Sequence, residues 1–136
     1  MDLMKSIMIA AAGLKAQSGR MRIIAENLAN SGSTAQTPDG DPYRRKMVTF
    51  ENYFDRELGA HTVRPGKVTF DQTEFSQRHD PSHPAADARG YVKMPNVNTL
   101  VEMMDMRQAQ RSYEANLNVV RSTRTMAVRT LDILRA

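Results

Sequence analysis

Along the first thirty residues, apolar side chains recur in alternating steps of four and three, at Leu3, Ile7, Ala10, Leu14, Gln17, Met21, Ile24 and Leu28. Seven of these eight are apolar, which predicts a helix from about Asp2 to Ala29 with a coiled-coil seam. Gly13 and Gly19 each cost such a helix about 1 kcal/mol of propensity, so the isolated arm is marginal. A second helix is predicted after Pro95, because proline belongs at or before a first turn. Its seam reads Met103, Met106, Gln110, Tyr113, Leu117, Val120, Arg124, Ala127, Leu131 and Leu134. Both arms carry a further apolar row, Met4, Met8 and Ala11 on the first and Val119, Met126 and Ile133 on the second. A two-helix hairpin buries one stripe per helix, so the surplus implies further helices or cover from the chain's own middle segment. The matched periods make the arms partners of each other and of copies of themselves.

Between the arms the pattern changes. Residues 31–42 are polar, rich in Pro and Gly and without period, as a linker or exposed loop is. Tyr43 to Phe50 alternates imperfectly and predicts a strand. Thr62 to Phe70 reads as strand, turn, strand, with Pro65 and Gly66 at the centre of a type II turn. Pro81 and Pro84 deny a helix to residues 79–84, and Gly90 to Lys93 predicts one more short strand. The fold class expected is mainly α with a small β-rich insert: long N- and C-terminal helices packed as a coiled-coil hairpin, and a central short-strand domain. The divisions are 1–30 (N-terminal helix of an inner helical domain), 31–95 (linker and β-rich middle) and 96–136 (C-terminal helix). An insert of this size is near the limit of self-support, so contact with the arms or with neighbours is expected.

Composition sharpens this division. Seven of the eight aromatic residues fall in the middle, leaving Tyr113 alone in an arm. The net charge of +4 divides into +2 over residues 1–30, −1 over 31–90 and +3 over 91–136. The absence of Cys excludes a disulfide framework, a thiolate metal site and a Cys nucleophile. The apolar run from Ile7 to Leu14 is too short to span a bilayer. Lys5 ahead of that run resembles the start of a signal peptide, but the heptad continues to Leu28, which a discarded segment has no reason to do.

Candidate chemistry is sparse. His79, Asp80 and His83 are potential metal ligands, yet Pro81 and Pro84 prevent the helical spacing that would bring the two rings together. Asp39-Gly40-Asp41 lacks the ligand spacing of a calcium loop. No phosphate-binding glycine loop or nucleophile elbow occurs, so neither an enzyme nor a cofactor is expected. Arg44-Arg45-Lys46, with Arg121, Arg124, Arg129 and Arg135, supports an alternative reading as a basic helical nucleic-acid-binding protein. Arg124 lies on the seam itself, where arginines more often pair with acidic groups of neighbouring helices.

Ala25-Glu26-Asn27-Leu28-Ala29-Asn30, closing an N-terminal heptad helix, resembles the signature of the flagellar axial proteins. Its companions are Leu100-Val101-Glu102-Met103-Met104-Asp105-Met106 and Arg111-Ser112-Tyr113-Glu114-Ala115-Asn116. The short chain, with Asp80 to Ala88 followed by Gly90 to Asn98, is most similar to the basal-body rod branch, at the proximal end of the rod. The resemblance implies a non-enzymatic subunit that polymerises through its terminal helices into the periplasmic drive shaft. It also implies export by the flagellar type III apparatus without a cleaved signal. Expected partners are copies of itself, other rod subunits, and inner-membrane ring and rod-junction proteins, with neither nucleic acid nor direct membrane insertion. The expected assembly interface comprises Leu3, Ile7, Leu14, Met21, Ile24 and Leu28 on the first arm. Met103, Met106, Tyr113, Leu117, Val120, Leu131 and Leu134 form it on the second. The amides of Asn27, Asn30, Asn116 and Asn118 are candidates for fixing register, or for capping and solvent contact.

Overall fold

Asp2 begins the first helix by accepting, at Oδ1, hydrogen bonds from the backbone N–H groups of Met4 (3.1 Å) and Lys5 (3.3 Å). The computed structural model describes residues 2–135. Helix α1 spans Leu3–Ala29, one residue inside the sequence expectation at its start. It stops where the apolar period stops: Asn30 bonds back to the Glu26 carbonyl through both its backbone N–H and its side-chain amide, and the Ser31 hydroxyl donates to the Leu28 carbonyl. Helix α2 spans Thr99–Arg135. Asn98 caps it, its Oδ1 accepting from the N–H groups of Leu100 (3.1 Å) and Val101 (3.3 Å).

Four strands lie between the helices: β1 Lys46–Asp55, β2 Ala60–Phe70, β3 Ser76–His79 and β4 Tyr91–Met94. They form two separate two-stranded sheets, β1 with β2 and β3 with β4. The expected turn at Pro65-Gly66 is absent; β2 runs straight through it. The reversal falls instead at residues 56–59. There Asp55 Oδ1 accepts from the N–H groups of Glu57 and Leu58, and Gly59 takes the left-handed φ of +58°. Gly66 has another purpose. A Cβ on it would stand 2.6 Å from Thr49 Oγ1, so the hairpin uses the missing side chain for close approach. A proline is tolerated in β2 because a two-stranded sheet has no central strand.

Strand β1 starts three residues after the expected position because Tyr43 and Arg45 spend their backbone N–H groups elsewhere, on the Ser33 carbonyl and on Asn96 Oδ1. Strand β4 lies where expected. Strand β3 has no apolar period to announce it and is fully exposed; its antiparallel register with β4 pairs Ser76 with Met94 and His79 with Tyr91. The rings of His79 and Tyr91 meet edge to face at 5.0 Å.

The chain gathers into two compact units, each drawing on both helices and on the β1–β2 hairpin. The first takes α1 up to Met21, Thr49–Lys67 and α2 from Arg107 onward. The second takes Arg22–Val48 and Val68–Met106. In the first, α1 and α2 approach so closely that a Cβ on Gly13 would lie 2.8 Å from Asn116 Nδ2. In the second, Asn27 donates to Glu102. Both pairs of residue numbers sum to 129, the relation that antiparallel helices keep. The two helices therefore pack together antiparallel. Helix α2 has 37 residues against 27 in α1.

Candidate assembly surfaces

Most of the residues buried on the two helices are small or polar. Buried on α1 are Ala10, Gly13, Ala16, Ile23, Ile24 and Asn27; buried on α2 are Glu102, Ala109 and Thr123. These α2 positions repeat every seven, as does Asn116 between them, so the expected period is present. The line of contact lies one residue N-terminal to the expected seam on α2. Small side chains let the two backbones come close and are then wholly covered, while larger neighbours remain on the flanks.

Asn27 is the fixed point of the second unit. Its amide nitrogen donates to the Lys46 carbonyl (2.9 Å) and to Glu102 Oε2 (3.2 Å). Its oxygen accepts from the Lys46 N–H (2.9 Å) and the Tyr43 hydroxyl (2.9 Å). All four hydrogen-bonding positions of the side chain are used, as burial at 1% exposure demands. Glu102, equally buried, accepts at its other oxygen from Arg45 Nε. Arg45 also pairs with Asp71 (3.4 Å) and Asp105 (3.9 Å), so one guanidinium joins α2 to the end of the hairpin. Asn96 closes the ring, accepting from the Arg45 N–H and donating to the carbonyls of Asp71 and Thr73.

The electrostatics follow. Burial pushes the Tyr43 hydroxyl up. A 3.0 Å ion pair with Glu26 pushes Lys46 up. Burial opposes charge on Arg45, but the hydrogen bond and charge of Glu102 outweigh it and leave the guanidinium above its ordinary value. Hydrogen bonds from the Thr73 backbone and hydroxyl hold Asp71 below the usual carboxylate range. Arg44 stacks on Phe75, 4.2 Å from the ring centroid, and donates to the Asp71 and Thr73 carbonyls. The Arg44-Arg45-Lys46 triplet, the strongest sequence argument for nucleic acid, is thus occupied internally. His83 is likewise engaged, accepting from the Ala85 N–H at Nδ1 and meeting Thr34 at Nε2.

The residues expected at the interface fall into three groups. Ile24 and Asn27 are buried. Leu3, Ile7, Leu14, Met21, Leu28, Asn30, Met106, Tyr113, Asn116, Leu117 and Val120 are half-buried. Met103, Leu131 and Leu134 are exposed. Asn30 caps its own helix, Asn116 bonds to the Ser112 carbonyl, Asn118 is exposed, and Asn27 reaches Lys46 and Glu102. Glu102, Tyr43, Arg45, Asp71 and Asn96 are absent from the residues the sequence assigns to an interface. A carboxylate in the first turn of α2 reads as an ordinary partner of the helix dipole, and nothing local marks it as buried.

The surplus stripes remain open. Val119, Met126 and Ile133 are 45%, 55% and 76% exposed, and Met4 and Met8 are exposed as well. The middle segment leaves them largely open, although Tyr53, Leu58 and Thr62 line one pocket with Met8. Helices whose polar lock is internal and whose apolar rows face outward have the surface of a structural assembly subunit.

Comparison with known proteins agrees. Residues 88–133 match the family model of the flagellar basal body rod FlgEFG protein C-terminal region. A flagellar basal-body rod protein FlgC of Agrobacterium fabrum is 52% identical over 128 residues, covering 94% of this chain and 92% of that protein. FlgC of Salmonella typhimurium is 41% identical over 98% of both chains, and FlgC of Borreliella burgdorferi 39% identical over 99% of both. The chain belongs to the FlgC family of flagellar basal-body rod proteins. It is a non-enzymatic structural protein of the flagellar basal body, which assembles with other rod and basal-body components.

Proposed function

We propose that this chain polymerises through its terminal helices into the proximal rod, the shaft that crosses the periplasm and transmits torque to the hook. The observation that carries this reading is the set of apolar rows on α1 and α2 left exposed after the helices have packed on each other. Exposed apolar surface of this extent marks a protein interface. In the rod, residues 1–30 and 96–136 form the inner helical domain, completed as a coiled coil by neighbouring subunits, and residues 31–95 face outward. A shaft that resists torsion needs each subunit joined to several others over long helical contacts that extend rather than close. The subunit reaches this place through the flagellar type III export apparatus without a cleaved signal, and meets ring and junction proteins as well as other rod subunits.

Deleting residues 1–28 tests the reading. Such cells should lack rods beyond the site of this subunit and be non-motile. Motile cells carrying only the truncated chain would refute it.

A further inference from the structure

Five methionines stand open on the two helices: Met4, Met8, Met103, Met104 and Met126 are 45% to 63% exposed. Met21, Met47, Met94 and Met106, the other methionines among the described residues, are half-buried. The sequence has no Cys and no Trp, so thioethers are its most readily oxidised side chains. Exposure and chemistry therefore select the same five residues. They lie on the helices whose outer surfaces the rod reading assigns to neighbouring subunits.

We propose that these five methionines are an oxidation site: a peroxide converts them to sulfoxides in the free chain, and a chain so marked is barred from the rod. The proposal rests on the reading of this chain as a rod subunit and adds a condition on its use. The sulfur lone pair attacks one oxygen of hydrogen peroxide. An S–O bond forms as the O–O bond breaks, the proton on the transferred oxygen passes to the departing hydroxide, and water leaves. Sulfur gives up an electron pair, which the peroxide takes. A thioether adapts to apolar neighbours of many shapes. A sulfoxide carries a dipolar oxygen, and burying that oxygen without a donor is penalised. In the free chain water serves the oxygen, so the fold of the subunit survives oxidation. In a completed shaft neighbours cover the same sulfurs, so the mark is set before incorporation.

Two measurements test this. The purified chain is treated briefly with dilute hydrogen peroxide, and each methionine is followed by peptide mass spectrometry. The five should convert at least about threefold faster than Met21, Met47, Met94 and Met106, with the helical circular dichroism unchanged. Uniform conversion, or loss of helix, overturns the proposal. In isolated basal bodies under the same treatment the five should convert at least about fivefold more slowly than in the free chain. Equal rates overturn the proposal, whereas absence of the chain from basal bodies overturns the rod reading itself. The second measurement is incorporation in cells making only a variant chain. Met104→Gln with Met126→Gln puts a polar amide where the sulfoxide would stand, and should lower the chain in basal bodies about tenfold. Met104→Leu with Met126→Leu should leave incorporation unchanged. Both variants should keep the thermal midpoint of the natural chain, because the replaced side chains are exposed. Full incorporation of the glutamine variant, a lowered midpoint in it, or failure of the leucine variant overturns the proposal.

Discussion

The side chain of Asn27 pairs with both backbone polar groups of Lys46, giving to its carbonyl and taking from its N–H at 2.9 Å each. The amide thus behaves as one more residue of a strand, and it ties α1 to the start of β1 while its second donor reaches Glu102 on α2.

Removing either member of the buried pair should be costly. Asn27→Ala strands the Lys46 N–H and the Tyr43 hydroxyl without partners, and is expected to cost about 2–4 kcal/mol. Glu102→Ala leaves Arg45 without its main counter-charge, a loss of about 3 kcal/mol. The double variant should lose less than the sum, by about 1 kcal/mol or more, because the two share one network. Denaturant unfolding of the four chains measures the difference; strict additivity would show that the residues act separately.

The two glycines of α1 should respond oppositely. Nothing lies within 4 Å of a Cβ placed on Gly19, so Gly19→Ala should recover about 0.5–1 kcal/mol of helix propensity. At Gly13 a methyl group meets Asn116 and displaces its bond to the Ser112 carbonyl, which should cancel the same gain. Gly13→Leu, too large for any shift of that amide, should destabilise by about 2 kcal/mol or more. Thermal unfolding midpoints rank the three.

Gln17 supplies a third test. Its side-chain oxygen is buried without a hydrogen-bond partner, at the one polar position of the α1 heptad. Gln17→Met keeps the length and removes the unpaired oxygen, and should stabilise the chain by about 1 kcal/mol. An unchanged or lowered midpoint would mean that the oxygen is served by a neighbour.

Acid should weaken the second unit. Asp71, Asp80 and Asp87 are all held below the ordinary carboxylate value, chiefly by hydrogen bonds from Thr73, Ser82 and the Tyr91 N–H respectively. A carboxylate depressed in the folded state adds stability that is present above its unfolded value, about 3.9, and is lost as pH falls through the folded one. Stability should therefore decline below about pH 4. Asp87→Asn keeps an oxygen for the Arg89 and Tyr91 N–H groups and should flatten the decline, measured by unfolding midpoint against pH.

Much of this architecture is legible in the residues. The heptads located both helices within a few positions, because a period sustained from Leu3 to Leu28 has no other regular solution. The contact face was harder to read. Large apolar residues were expected inside, but a close antiparallel approach gives the centre to Gly13, Ala16 and Ala109 and moves residues such as Met103 outward. Local rules also misread Pro65-Gly66, whose residue types suit a turn as well as a close strand contact. The lock of Asn27, Tyr43, Arg45 and Glu102 joins residues up to 75 positions apart, and no local pattern encodes such a meeting.

The complete use of the Asn27 amide has a consequence for how a subunit keeps its dimensions. Sliding α2 by one turn along α1 would bring Met106 or Asn98 to the place of Glu102, at a displacement of about 5.4 Å. A thioether cannot accept from Asn27 as a carboxylate does, and neither replacement can hold Arg45. Of the residues near this point only Glu102 answers both Asn27 and Arg45, so the offset of the two helices here is a discrete choice. In any structure made by repeating a part, small errors of length in each part accumulate. A part whose length is set by a discrete choice, rather than by the compliance of an apolar interface, contributes no such error.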